Sequence, residues 1–321
     1  MCGLKDVYKD YFKIGAAINS VTIQNEYDII KEHFNSITFE NQMKYGVLFN
    51  EKYEYNFAGA DELYDFAKSN NLEIRGHNFV WHNQTPYHIF NKSKEEVWEL
   101  LANHIKIMYE RYGDITKCWD VVNEAVEDKS SAYLRKSPWL DMFGDDYCKK
   151  VFELARNILP DNVQLFYNDY NEYIPEKRDK IAKLINSINK DGKLVDGVGM
   201  QCHVNLYYPT IDLVKEAIEM YASLGLRIHI TEMDMSHFRF DDTRILEAPD
   251  PHLEELHTKA YGDYFKVFRE YSDYIDNVTL WGVSDSYTWL DDFPVKNRKN
   301  WPLLFDEEGN AKPALYTIMD I

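Results

Sequence analysis

The sequence predicts an α/β fold, a single (β/α)8 TIM barrel, and three observations carry that expectation. Short apolar, β-branched runs alternate with segments of helical spacing along the whole 321-residue chain. Parallel strands require such crossovers, and no other regular device supplies them so evenly. Polar residues gather where the runs give out, the face on which barrel enzymes build their sites. Barrels of about 200 to over 400 residues form one unit, so residues 1–321 read as one catalytic domain.

The strands fall at Lys13–Ile18, Ser36–Phe39, Glu73–Val80, Cys118–Val122, Gln164–Tyr167, Gly197–Cys202, Arg227–Thr231 and Asn277–Trp281. Helical spacing fills Asn25–His33, Gly59–Asn70, Lys94–Tyr112, Asp145–Leu159, Glu176–Asn189, Ile211–Ser223 and His252–Tyr271, with a last helix at Pro313–Met319. Ser93 before Glu95 and Glu96 marks a helix start, and Asn71 and Leu224-Gly225 mark exits. No repeat, low-complexity run or linker divides the chain. The longest irregular stretches, Trp81–Lys92, Ala125–Phe143, Asp234–Pro251 and Ser284–Asn310, all follow strands, so they wall one face.

Composition narrows the partners. The chain carries 36 basic and 54 acidic residues, a net charge of −18. That field repels nucleic-acid phosphates and anionic membranes, so neither is expected as a partner. Aromatics reach 15%, which suits the flat faces of sugars. Cys2, Cys118, Cys148 and Cys202 show no paired spacing, and Cys118 and Cys202 sit in apparent strands. Buried thiols and no signal-peptide pattern at Met1–Tyr11 suggest the cytoplasm. A module cut from a longer secreted protein would read the same way.

Two segments point to chemistry. Trp119-Asp120-Val121-Val122-Asn123-Glu124 and Ile228-His229-Ile230-Thr231-Glu232-Met233-Asp234 each read as a buried strand ending on a glutamate. One such glutamate alone would be read as capping the following helix. Two on one rim are what glycosidic cleavage requires, one to protonate the leaving oxygen and one to attack or to activate water. Around them stand Glu40-Asn41-Gln42-Met43-Lys44, His77, Trp81-His82-Asn83-Gln84, Asn168-Asp169-Tyr170-Asn171, Gln201-Cys202-His203, Trp281, Asp285 and Trp289. Amides and imidazoles both donate to and accept from hydroxyls, and indoles cover sugar faces.

These segments, together with Thr38-Phe39 before Glu40, Arg75-Gly76 before His77 and Gly282-Val283-Ser284 after Trp281, resemble family 10 glycoside hydrolases, the endo-β-1,4-xylanases. The likeness runs from about Phe12 to Ile318. It implies retention through a covalent glycosyl-enzyme, with Glu124 as acid/base and Glu232 as nucleophile, His203 and Asp234 orienting Glu232, and Asn123 on the sugar 2-hydroxyl. It places Glu40, Asn41, Lys44, His77, Trp81, Gln84 and Trp281 on the glycone side, Trp289 over the reacting sugar, Asn168 and Tyr170 on the aglycone side, and Gln201 among the substrate contacts. Trp281 and Gln84 would disfavour glucose by crowding its hydroxymethyl group, a discrimination of roughly 1–3 kcal/mol. The substrate implied is xylan or xylo-oligosaccharide, with no cofactor, no metal and no obligate protein partner.

A retaining pair needs carboxyl groups about 5–5.5 Å apart, close enough for mutual repulsion to keep one protonated. Strand alternation turns His229 away from the barrel axis if Glu232 points inward, and Asp120 likewise reads as structural. His82 reads either way. Scattered imidazoles without HExxH argue against a metal site. Asp291-Asp292 with Lys296, Arg298 and Lys299 reads as a solvated loop, with contact to distal sugars or uronic acid branches as the second reading. Other retaining β-1,4-glycanases on the same barrel share the two glutamates but should lack Glu40-Asn41 with Lys44. An inactive sugar-binding barrel would have lost a catalytic carboxylate, and both are present.

Overall fold

The strands wind into one parallel barrel in a computed structural model that describes residues 2–129 and 131–321. They are β1 (Lys13–Ile18), β2 (Ser36–Phe39), β3 (Glu73–Trp81), β4 (Thr116–Asn123), β5 (Gln164–Asp169), β6 (Gly197–Met200), β7 (His203–Asn205), β8 (Arg227–Ser236) and β9 (Ile275–Leu280). β1 pairs with β2 on one side and β9 on the other, and β6 with β8 closes the ring. β7 resumes the path of β6 after a break at Gln201-Cys202 and pairs with β8 higher up, His203 opposite Asp234. The sixth strand, expected at Gly197–Cys202, instead stops at Met200; Cys202 lies in the break with φ +54°, and β7 follows beyond the expected span.

One apolar cluster joins strand residues such as Ile14, Ile37, Ile74 and Leu165 to helix residues such as Leu63, Leu101, Ile181 and Val214. Removing that area from water supplies the main driving force, about 25 cal/mol per Å². Gly76 makes room on this side: a Cβ there would lie 2.3 Å from the Trp119 ring, which stacks on Phe79. The helices at Lys94–Tyr112, Ile211–Ser223 and Pro313–Met319 match the expected spans. Ser93 and Glu96 close a reciprocal cap on the first of these. The expected Asn25–His33 helix is instead two short ones, Thr22–Asn25 and Tyr27–His33. Glu26 between them is buried and accepts hydrogen bonds from Ser284 and Ser286. A helix at Pro138–Phe143 inside the fourth loop was not expected, although Ser137-Pro138 is its start signal, with Ser137 Oγ accepting from Leu140 N at 3.1 Å.

The barrel interior is polar, and it overturns two expectations. His229 faces the axis: its Nδ1 accepts from Arg75 Nε at 3.3 Å. Asp120 faces it too, paired through both oxygens with the Arg75 guanidinium and 2.8 Å from His77 Nδ1. Alternation fails because each strand carries a bulge. Between β4 and β5, Asp120 opposes Phe166 but Val122 opposes Tyr167. Between β8 and β9, Ile230 opposes Val278 but Met233 opposes Leu280. Each bulge inserts a residue and resets the parity, so His229, Thr231 and Glu232 all point inward. The structural role read for Asp120 and His229 stands, but its geometry was inverted.

Asp120 is 0% and Arg75 1% exposed. Removing one partner leaves the other charged and unpaired in the core. Asp120→Ala should lose about 3–5 kcal/mol in urea unfolding. Lys106→Ala, which breaks an exposed pair with Glu110 at 3.7 Å, should lose no more than about 1 kcal/mol.

Candidate active site

The carboxyl-end loops surround an open cleft of about 860 Å³. Glu124 and Glu232 both line it, together with Glu40, Asn41, Lys44, His77, Trp81, Gln84, Asn123, Tyr170, Gln201, His203, Asp234, Trp281 and Trp289. Two predicted positions fall elsewhere. Asn168, expected on the aglycone side, is wholly buried beneath the cleft. Asp285 is buried against Lys312 at 2.7 Å and ties down the loop after β9.

Glu232 is held from two sides. Asn168 Nδ2 donates to its Oε1 at 2.8 Å, and His203 Nε2 lies 3.2 Å from its Oε2. Behind His203, Asp234 Oδ2 is 3.0 Å from Nδ1 and accepts from Trp289 Nε1 at 2.7 Å. Burial pushes the His203 imidazole down, but the Asp234 and Glu232 carboxylates outweigh it and raise it to about 10. Burial likewise raises Glu232, yet the His203 hydrogen bond and the charges of His77 and His203 leave it below the usual carboxylate value. Glu232 is therefore ionised at neutral pH, opposite a charged imidazole.

Glu124 has a different setting. Its donors are neutral: Trp81 Nε1 to Oε2 at 2.9 Å and Gln201 Nε2 to Oε1 at 3.1 Å. His82 Nδ1 is 3.9 Å from Oε2, and burial, helped by the Arg135 charge, lowers that imidazole to about 4. His82 thus stands beside Glu124 as an uncharged ring. The Asn123 amide adjoins Glu124, 3.4 Å from its Oε1, and lies 2.9 Å from Asn168 Nδ2 and 3.3 Å from Gln201 Nε2.

At one end of the cleft, Asn41 Oδ1 accepts from Lys44 Nζ at 3.0 Å and Gln84 Nε2 at 3.1 Å, while Asn19 Nδ2 donates to Glu40 at 2.8 Å. Burial lowers Lys44, although the Glu232, Glu40 and Glu124 charges oppose it. Tyr170, Tyr208, Arg239, Phe240 and Phe293 also line the cleft, and of these sequence reasoning named only Tyr170. Phe240 and Phe293 have ring centroids 5.9 Å apart, and Phe293 stacks on Trp289 at 5.0 Å. The basic run after Asp291 does not reach the cleft. Lys299 pairs with Asp291 and Glu307, each at 2.8 Å, and Arg298 is buried over the Phe238 ring.

Two further residues escaped the sequence reading. Glu172 is fully buried, pushed up to about 7 by burial, and its Oε1 accepts from Cys202 N at 3.2 Å. It fixes the break that delivers Gln201 to Glu124 and His203 to Glu232. Arg135 donates from Nε to the Glu124 carbonyl at 3.1 Å. Neither carried a sequence signal, since a lone charged residue in a loop or helix approach has no period.

A family model described as Glycosyl hydrolase family 10 matches residues 3–321. The chain is 50% identical to "Endo-1,4-beta-xylanase A" of Caldicellulosiruptor saccharolyticus, over 98% of this chain and 95% of that one. It is 44% identical to "Endo-1,4-beta-xylanase" of Geobacillus stearothermophilus, over 99% and 98%. Among solved structures, the endo-1,4-beta-xylanase from Caldicellulosiruptor owensensis superposes with TM-score 0.97 at 47% identity, covering 100% of each chain. A mutant structure in complex with xylotriose gives the same TM-score, 0.97, at 47% identity and 100% coverage of each.

The raised His203 and depressed Glu232 make opposite contributions to stability. His203 contributes fully below its unfolded value of 6.5 and loses that contribution as pH rises toward about 10. Glu232 contributes above 4.5 and loses it as pH falls. In His203→Gln, the Glu232 carboxyl should titrate at higher pH, read by carboxyl infrared or carbon NMR. The melting-temperature gap between wild type and variant should shrink as pH rises from 6.5 to 10.

Proposed function

The chain belongs to glycosyl hydrolase family 10, and from that premise we propose that Glu124 is the acid/base and Glu232 the nucleophile of its reaction. The enzyme is a retaining endo-1,4-β-xylanase that binds xylo-oligosaccharides. The observation that carries the assignment of roles is the asymmetry of partners. Glu232 faces the charged His203, while the Glu124 carboxyl accepts only from neutral donors and stands beside the uncharged His82.

In the first half-reaction Glu232 Oε attacks the anomeric carbon, and its C–O bond to the leaving sugar breaks. The proton of Glu124 passes to the leaving oxygen. In the second half Glu124 takes a proton from water, whose oxygen replaces Glu232 on the same carbon. Asn123, which lines the cleft beside Glu124, would bind the 2-hydroxyl, a contact that tightens as positive charge grows on the ring. Lys44, Asn41, Glu40 and Gln84 supply hydroxyl partners at the glycone end, with Trp81 and Trp281 as walls and Trp289 as cover. Gln201 and Asn168 act through the carboxylates they hold. The buried thiols of Cys118, Cys148 and Cys202 favour a reducing compartment. This supports a cytoplasmic enzyme fed with short xylo-oligosaccharides, and native activity should fractionate with the cell lysate, not the culture supernatant.

Glu232→Ala should lose at least about 10⁴-fold in kcat on xylan, the scale for removing a covalent nucleophile. Azide should restore turnover of an aryl xylobioside and yield a glycosyl azide. Unchanged hydrolysis by that variant would reject the nucleophile. Products from xylan, carboxymethylcellulose and mannan, run in parallel, should show xylo-oligosaccharide release from the first and little from the others.

A further inference from the structure

We propose that Arg135 is a positioning residue for the proton donor, coupling occupation of the leaving-group side of the cleft to the placement of Glu124. The inference rests on the reading of Glu124 as acid/base. Glu124 stands at φ +55°, a left-handed conformation that a residue with a Cβ holds only under constraint. Its own amide is tied below, donating to Asn168 O at 2.8 Å. The next two amides, of Ala125 and Val126, both donate to the Tyr167 hydroxyl at 3.1 Å. The Glu124 carbonyl is held by Arg135 Nε at 3.1 Å, and the Arg135 amide donates to Ala125 O at 2.7 Å.

The other end of the same guanidinium reaches the cleft wall. Nη2 donates to the Tyr170 hydroxyl at 2.7 Å and to Asp128 Oδ1 at 3.2 Å. Tyr170 and Asp128 both line the cleft. The planar fork thus spans from the acid/base main chain to the surface where the departing sugar rests. Its donors are rigidly related, so a push on Tyr170 is felt at the Glu124 carbonyl. Lysine, a single flexible ammonium, cannot hold both ends at once.

The role makes a distinction that mere structural support would not. A displaced proton donor harms departure of sugars, which need a proton, and spares dinitrophenolate, which does not. In Arg135→Lys, kcat/KM toward xylotetraose should fall about tenfold or more. Toward 2,4-dinitrophenyl β-xylobioside it should stay at the wild-type value, so log kcat/KM falls more steeply with leaving-group pKa across an aryl series. Tyr170→Phe, which keeps the ring and the arginine, should steepen the series in the same direction by less, and it carries the test if Arg135→Lys fails to fold. Equal losses for all leaving groups, or no loss, in the folded variants would overturn the proposal. Failure of the wild type to cleave xylotetraose would instead fall on the reading of the site.

Discussion

The buried amide of Asn168 is the constraint on which the site depends. Its Nδ2 donates to Glu232 and reaches Asn123, while its Oδ1 accepts from Thr231 Oγ1 at 2.7 Å. Only a carboxamide offers donors and an acceptor at one buried point, so aspartate or leucine there would leave partners unsatisfied. The room for it comes from Gly199 on β6, where a Cβ would lie 2.1 Å from Asn168 Oδ1. Strands β4, β5, β6 and β8 thus meet at one side chain, and the two carboxylates inherit their relation from it.

Below that level the barrel axis is filled with charge, not with branched apolar residues. Arg75, Asp120 and His77 form a buried column under the cleft, with Asn277 and Ser36 bonded at 2.9 Å across another part of the ring. The column ends at His77, which lines the cleft and whose charge helps to hold Glu232 ionised. The ion pair in the core therefore reaches the site through one imidazole. At the Glu124 carboxyl the neighbouring imidazole is instead neutral, since burial lowers His82. Two carboxylates in one cleft are thus given different neighbours, a charged imidazole beside Glu232 and a neutral one beside Glu124.

Much of this was legible in the residues. Strand runs, helix spacing and the rim of polar residues located the barrel, and two buried strands each ending on a glutamate located the pair, to which the family likeness then attached roles. Part of what escaped comes from irregular backbone. A bulge changes parity without changing composition, so His229 and Asp120 were turned the wrong way. The break at Cys202 divides a run that reads as continuous. Asn168 follows the same polar cluster as Tyr170, and nothing in the string says that one side chain sits under the floor and its near neighbour on the wall. Arg135 and Glu172 act by reaching main-chain atoms, a role that requires only the right distance in space and leaves no spacing to detect.

Four of the seven non-glycine residues with left-handed backbone among the described residues stand at or beside the cleft. Glu124 and Cys202 adopt left-handed backbone at φ +55° and +54°, and Gln84 and Asn171 do so on neighbouring loops, at φ +40° and +54°. Each costs on the order of 1–3 kcal/mol if unsupported. The support comes from outside the strand in each case that matters: Arg135 and Tyr167 brace Glu124, and Glu172 braces Cys202. A regular strand end would send these side chains alternately up and out, and could not turn Gln201 and His203, two residues apart across Cys202, onto two different carboxylates. The barrel provides the ring, and the strained ends, held by buried side chains, provide the aim. It follows that the tethers, more than the strands themselves, set where the Glu124, Gln201 and His203 side chains point.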